Sequence, residues 1–353
     1  MDFIHEGLST RVIFGIGKLK ALSSEVSRLG SKALVLCTPE QTEVANEAAR
    51  ILSDLAVGIY DQAAMHVPVE TARAAQSEAV RLGADVYVAI GGGSTTGLGK
   101  AIALEFGHPI VCVPTTYAGS EMTPIWGLTE GGVKRTGRDM KVLPRTVIYD
   151  PTLTVSLPQM LSATSGMNAI AHSVEALYAQ NRNPIISLMA EESIRALARS
   201  LPQVMQEPKN LEARSEALYG AWLAGISLGS VGMALHHKLC HTLGGSFNLP
   251  HSDVHTVIIP HATAYNRDAA PEAMQRIAGA LGQSDAAEGL YQLELILGTP
   301  TKLSDIGMKY EDLDLAADLA SQNPYYNPRP VTRDGIRALL EDAFSGEHPR
   351  KIL

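Results

Sequence analysis

Along the first 150 residues short apolar runs alternate with amphipathic stretches. "KALVLCT" (32–38), "VGIYDQ" (57–62), "DVYVAIGGGS" (85–94), "PIVCVPTT" (109–116) and "TVIYDP" (146–151) are β-branched or continuously apolar and predict strands. Between them, "EVANEAARILSDL" (43–55), "VETARAAQSEAVRLG" (69–83) and "GLGKAIALEF" (97–106) carry a helical period. Apolar strands separated by helices require a mostly parallel sheet covered on both faces, so the first half is expected to be a Rossmann-like α/β domain. After "YDPTLTVSLP" the pattern changes: from 159 to about 320 only long helical runs follow, such as "NAIAHSVEALYAQ", "SLMAEESIRALARSLPQVM" and "EALYGAWLAGISLGSVGMALHHKLCHTLG". The second half is expected to be an all-α helical domain, which gives domains 1–153 and 154–353. Prolines punctuate its turns, and "NPYYNPRPVT" (323–332) predicts an ordered loop. No repeat and no low-complexity segment interrupts either half.

Composition narrows the class. With 45% hydrophobic and 19% charged residues in 353 the chain reads as globular with a large core. No window approaches the roughly 18 consecutive apolar residues of a membrane helix, and "MDFIHEGLST" lacks the regions of a secretory signal, so a cytoplasmic protein with no membrane partner is expected. A net charge of −8 without a basic stripe argues against nucleic acid. Cys37, Cys112 and Cys240 are far apart and odd in number, which suits buried thiols better than a disulfide framework.

The glycines of "VAIGGGSTTGLGKAI" follow a strand and open a helix. Gly92, Gly93 and Ser94 would let a pyrophosphate approach the free N–H groups at a helix start. The spacing is neither G-x-G-x-x-G nor a P-loop, because Lys100-Ala101 follows Gly99 where a nucleoside triphosphatase needs Lys and a hydroxyl. A tight turn without ligand is the plain alternative. One strand later, "CVPTTYAGSEMTP" places Thr115, Thr116 and Ser120 at the carboxyl edge of the sheet, where they either reach a nicotinamide and its ribose or only cap the next turn.

Six of the eleven histidines fall between 236 and 261, and His172 joins them in the helical half. Asn168 and His172 share one helical face, and so do His237 and His241; "HTLGGSFNLPHS" is expected to break that helix at Gly244-Gly245 and return with His251. Two such pairs and a returning histidine point to ligand or acid–base use rather than to isolated core residues.

With these residues in view, "GGGS", "PTTYAGSE", "GMNAIAHSVEA" and "HHKLCHTLGGSFNLPHS" resemble the iron-containing (group III) alcohol dehydrogenases over nearly the whole chain. The resemblance implies an α/β dinucleotide domain facing a helical domain with the active site in the cleft between them, and a homodimer. It places Asn168, His172, His237 and His251 at the family's metal-ligand positions, an Asp and three His, and His241 beside the nicotinamide. Two departures stand out: Asn168 replaces the anionic ligand, and Gly97 stands where the family usually has Asp. Together with "STTGLGKAIAL", "PTTYAGSEMTPIWGLTE" and "NPYYNPRPVT", they resemble the branch of the family that reduces 2-maleylacetate, a dicarboxylate, to 3-oxoadipate with NADH or NADPH in bacterial breakdown of aromatic compounds.

That chemistry implies roles. Hydride addition to the alkene carbon β to the ketone leaves charge on the enolate oxygen, which His172, His237, His251 and Asn168 are expected to stabilise while His241 donates the proton. Exchanging Asp for Asn removes a charge and a hard ligand, so no metal is expected, although three neutral imidazoles suffice for zinc in carbonic anhydrase. Lys134, counted also among the cofactor contacts, with Arg135, Arg138 and Arg329, are candidates to meet the dianion. The rivals are a metal-dependent alcohol or polyol dehydrogenase on the same scaffold and a metabolite-binding protein without turnover. Thr38 ends the strand where many NAD-specific members carry Asp, and a neutral residue there neither selects the ribose 2′-hydroxyl nor repels a 2′-phosphate. Values of kcat/KM with NADH and NADPH are therefore expected to agree within a few hundredfold; a wider gap would refute this.

Overall fold

The computed structural model describes residues 3–131 and 133–350. The chain forms two compact units, one of residues 7–157 and a second that begins at Pro158 and includes the N-terminal segment before Gly7.

The first unit is built from β1 (Arg11–Phe14), α1 (Leu22–Ser27), β2 (Ala33–Leu36), α2 (Thr42–Leu52), β3 (Ala56–Tyr60), α3 (Val69–Leu82), β4 (Val86–Gly91), α4 (Gly93–Phe106), β5 (Ile110–Pro114), β6 (Ile125–Glu130), β7 (Val133–Arg138) and β8 (Thr146–Tyr149). Six strands form one parallel sheet in the order β1-β8-β5-β4-β2-β3. The four central strands are buried along their whole length, as the continuous apolar runs require. The chain steps from β2 outward to β3 and then back across β2 to β4, so strand order reverses between β2 and β4. The loops after these two strands leave in opposite directions and open a crevice at their carboxyl ends.

Three features depart from the sequence expectation. The helix expected from residue 97 starts at Gly93, directly after β4. Edge strand β1 and the antiparallel β6–β7 hairpin were not signalled; "VKRTGR" is polar, and a solvated two-stranded ribbon has no need of an apolar run.

The second unit holds α5 (Gln159–Tyr178), α6 (Pro184–Gln206), α7 (Leu211–Ser230), α8 (Leu235–Phe247), α9 (His251–Asn266), α10 (Pro271–Leu281), α11 (Ala286–Leu297), α12 (Leu313–Ser321) and α13 (Arg333–Ser345). Helix α5 is buried all round from Ser162 to Tyr178, and α9 from Val254 to Asn266, which marks both as interior helices. Small residues let α5, α6 and α7 approach closely: Ser173 donates to Ser193 (2.8 Å), which donates to the Gly220 carbonyl (2.8 Å), and a Cβ on Gly220 would meet Leu197 at 2.7 Å. No single helix among the described residues is long and apolar enough to cross a membrane.

Two further corrections concern α8. The long run 216–244 is cut at Val231–Ala234, where α7 and α8 meet at 96°. Gly244-Gly245 does not end the helix; α8 continues to Phe247 and stops at Asn248, whose φ of 54° is left-handed. The start of α8 is set from another helix. Glu175 of α5, fully buried, accepts from the backbone N–H of Ala234 and His236 at 2.7 Å each, doing from outside what an N-cap side chain does within. A buried carboxyl is tolerated only where such donors surround it. Glu175→Ala leaves these donors without a partner and is expected to cost about 3 kcal/mol, read as a lower urea midpoint at unchanged m-value; an unchanged midpoint would contradict it.

Candidate active site

At the crevice of the α/β unit, three adjacent strand ends bring the expected cofactor residues together. Thr38 follows β2 and is half-buried; Gly91–Ser94 follow β4; Thr115 and Thr116 follow β5, with the Thr115 N–H donating to the Gly91 carbonyl (3.1 Å). Gly91 has φ of +147°, and a Cβ there would stand 2.5 Å from both Gln41 Oε1 and Thr95 Oγ1. At Gly92 a Cβ would press on Thr116 at 3.0 Å, so both positions need glycine for space or conformation. The first turn of α4 has no side-chain cap, and buried Thr95 Oγ1 has no partner within the protein. Free N–H groups at a helix start beside an unused hydroxyl fit the phosphates of a dinucleotide. Gln41, which the sequence reading passed over, fixes this edge by donating to Thr115 Oγ1 at 2.6 Å.

Ser120 and Lys134 lie beyond the strand ends, in the turn after β5 and in the hairpin. Ser120 is held through its carbonyl, which accepts from Lys100 Nζ at 2.7 Å. Lys100 is turned inward; it also donates to Thr123 Oγ1 (2.9 Å) and the Ile125 carbonyl (2.8 Å), and burial pulls its pKa down to about 7. Below it Tyr149 donates to Glu121 (2.8 Å), whose own burial raises the carboxyl pKa. Lys134 pairs with Thr129 across the hairpin and is exposed, and Arg135 reaches Glu130 at 3.7 Å. The departure at Gly97 has a packing reason: a Cβ there would meet Val67 Cγ2 at 2.7 Å.

In the helical unit six imidazoles gather around the contact of α5, α8 and α9. Ring centroids are 5.1 Å apart for His172 and His237, 5.0 Å for His237 and His255, 4.4 Å for His251 and His255, 4.8 Å for His236 and His255, and 6.1 Å for His237 and His241. Asn168, His172, His236, His237 and His255 are buried, His251 is half-buried, and His241 is exposed at the rim. His237 Nδ1 donates to Glu175 at 2.7 Å, so the carboxyl that starts α8 also sets this ring. A neutral His237 bound in this way turns the lone pair of Nε2 away from Glu175. Asn168 Oδ1, His172 Nδ1, His237 Nε2 and His255 Nε2 are all buried without a partner inside the protein. Burial, with the neighbouring His237, His251 and His241 adding to it, holds His172 well below the ordinary imidazole pKa; His236 and His255 are depressed in the same direction, again mainly by burial.

The loop 323–332 is strapped to α9. Asn266 and Asn327 exchange amide hydrogen bonds (2.9 and 2.7 Å), Tyr265 donates to the Pro330 carbonyl (2.8 Å), and the Arg329 guanidinium stacks 4.2 Å over the Tyr265 ring. The strap brings the Tyr325 hydroxyl to His241 Nδ1 at 3.2 Å.

The positions the family resemblance assigns to a divalent ion carry one charged ligand fewer than the family's Asp and three His. Among the described residues, the group of three His, Cys or carboxylate donors within 4.8 Å of one another is His236, Cys240 and His255, not His172, His237 and His251. Asn168 adds a neutral carbonyl oxygen in place of a charged carboxylate, so it would hold a divalent ion without neutralising any of its charge. Of the residues the sequence reading singled out, Asn168, His172, His237, His241 and His251 are thus brought to one place. Glu175 and Tyr325 were missed, and His236 and His255, counted in the run of histidines between 236 and 261, were given no role. Glu175 lies three residues after His172 and His255 four after His251, so helical spacing alone could have added both.

Residues 9–151 match the family described as iron-containing alcohol dehydrogenase, and residues 162–344 match its C-terminal part. The chain is 60% identical over 348 residues to a maleylacetate reductase of Burkholderia cepacia, covering 98% of this chain and 99% of that one. Two solved structures share the fold: maleylacetate reductase from Agrobacterium tumefaciens (TM-score 0.96, 50% identity, 99% of this chain and 100% of that one) and from Rhizobium sp. strain MTP-10005 (0.95, 51%, 99% and 100%). The chain is an NAD(P)H-dependent oxidoreductase that belongs to the iron-containing alcohol dehydrogenase family, on the branch that carries the maleylacetate reductases.

Proposed function

We propose that the protein reduces the activated C=C bond of 2-maleylacetate to give 3-oxoadipate, with NADH or NADPH, in bacterial breakdown of aromatic compounds, and that it does so without a metal. The observation that carries this reading is the buried group of Asn168, His172 and His237, each with a polar atom that has no partner in the protein, and with a neutral amide at the place of the family's carboxylate. Identity of 50–60% to maleylacetate reductases over the full length supports the substrate.

A bound nicotinamide supplies the hydride, and Gly92, Gly93, Ser94 and Thr95 would hold its phosphates. The chain's own residues manage charge and proton. Hydride gained at the carbon β to the ketone leaves an enolate, and N–H groups of His172 and of the Asn168 amide stabilise its oxygen through preorganised hydrogen bonds, each good donor contributing roughly 3 kcal/mol, while His237, whose N–H goes to Glu175, is not a donor there. His172 stays neutral at pH 7 and serves as a hydrogen-bonding group rather than an acid. His241, exposed and steadied by Tyr325, gives its proton to the α carbon and regains one from solvent, which completes the reduction.

Purified protein is expected to consume NADH with 2-maleylacetate and to leave simple alcohols and polyols unoxidised; oxidation of an alcohol without maleylacetate reduction would favour the metal-dependent rival. His241→Asn is expected to lower kcat by roughly 10²-fold with KM little changed; an unaltered kcat would remove His241 from the proton step. The buried histidines also set the acid limit of stability. Their folded pKa values lie below the unfolded value, so on acidification the unfolded chain takes up protons first. Stability is full above about pH 6.5 and falls as pH drops below it. With His172, His236, His255 and His261 (about 4) all held below the unfolded value, denaturant midpoints should fall steeply between pH 7 and 5. A midpoint that rises toward pH 5 would contradict the buried neutral state.

A further inference from the structure

His236, Cys240 and His255 belong to none of the roles above, yet all three are fully buried and joined. His236 Nε2 lies 2.9 Å from His255 Nδ1 and 3.5 Å from Cys240 Sγ. An imidazole nitrogen has one in-plane position, either a hydrogen or a lone pair. Cys240 Sγ also lies 4.0 Å from His236 Nδ1, and burial keeps the hydrogen on the sulfur, so the thiol offers that ring a donor. When Nδ1 accepts the thiol hydrogen, the one hydrogen of a neutral His236 ring sits on Nε2 and is donated to His255 Nδ1. His255 Nδ1 is then the acceptor, and in a neutral ring the hydrogen of His255 sits on Nε2. That atom is buried, has no partner in the protein, and belongs to a ring 5.0 Å from His237, 4.4 Å from His251 and 6.2 Å from His172.

We propose that Cys240 and His236 lock His255 as the Nε2–H tautomer, which makes His255 a further hydrogen-bond donor to the substrate's enolate oxygen. His237 and His255 then divide the work: Glu175 leaves His237 with an accepting Nε2, and His236 leaves His255 with a donating one. The enolate role rests on the proposed reduction of maleylacetate; the tautomer does not. An N–H of fixed direction aimed where charge develops requires no ion to hold that charge.

The test is nitrogen NMR on full-length protein labelled with 15N-histidine, without cofactor or substrate, at pH 7.5, with His255 assigned by loss of its signals in His255→Asn. An unprotonated Nδ1 and a protonated Nε2 are expected. The reverse pattern, two protonated nitrogens, or shifts of a metal-bound ring would overturn the lock. In NADH consumption with maleylacetate, His255→Phe should lower kcat roughly 10²-fold with KM little changed, while His255→Asn, which keeps an N–H donor, retains about tenfold more than Phe. Full kcat in His255→Phe would overturn the donor role. A protein with the expected tautomer that leaves maleylacetate untouched would sink the substrate reading and leave the lock standing.

Discussion

The helical unit depends on one buried carboxyl. Glu175 sits in the middle of an interior helix and accepts three N–H groups, from Ala234, His236 and His237, all at 2.7 Å. Two of these start α8 after the bend that follows α7, and the third orients an imidazole. The same hydrogen bonds that turn the chain therefore decide where His236, His237, Cys240 and His241 stand. A carboxyl isolated from water needs every one of these donors, which is why the geometry around it is narrowly set. Fold and site share a single electrostatic constraint, and the histidine cluster follows from it.

The α/β unit follows another constraint, the return of the chain across β2 to β4. At that reversal the ends of β2, β4 and β5 lie side by side, and glycine is needed where backbone and neighbours crowd, at Gly91 against Gln41 and Thr95 and at Gly92 against Thr116. The departure at Gly97 belongs to the same crowding, because Val67 fills the space a side chain would take. Lys100 shows how a residue next to a phosphate-type turn can serve the interior instead: its ammonium pins the turn that carries Ser120.

Much of this was legible in the sequence. Strands β2, β4, β5 and β8 are continuous apolar runs because both sheet faces are covered, and buried burial patterns of that kind announce themselves. The hairpin of "VKRTGR" did not, since a solvated ribbon carries no apolar signature. Gly244-Gly245 looked like a helix end, but α8 carries on through them and stops at Asn248. The five expected residues of the histidine site stood out by helical spacing; His236 and His255 belong to the same run of histidines, but the hydrogen bond between two helices that joins them leaves no local pattern. Glu175 shares a helical face with His172, but its role did not show because its partners are 59 to 62 residues away.

Neutral hydrogen-bonding groups, rather than an ion, hold the negative charge of the reaction in this reading, with Asn168 as the mark of the change. The most direct measurement is the metal content of freshly purified enzyme by mass spectrometry, taken on the same sample whose NADH consumption with maleylacetate is followed before and after exhaustive chelation. Far less than one equivalent of transition metal per chain, with activity unchanged by the chelator, is expected. A stoichiometric zinc or iron whose removal abolishes turnover and whose return restores it would contradict the reading.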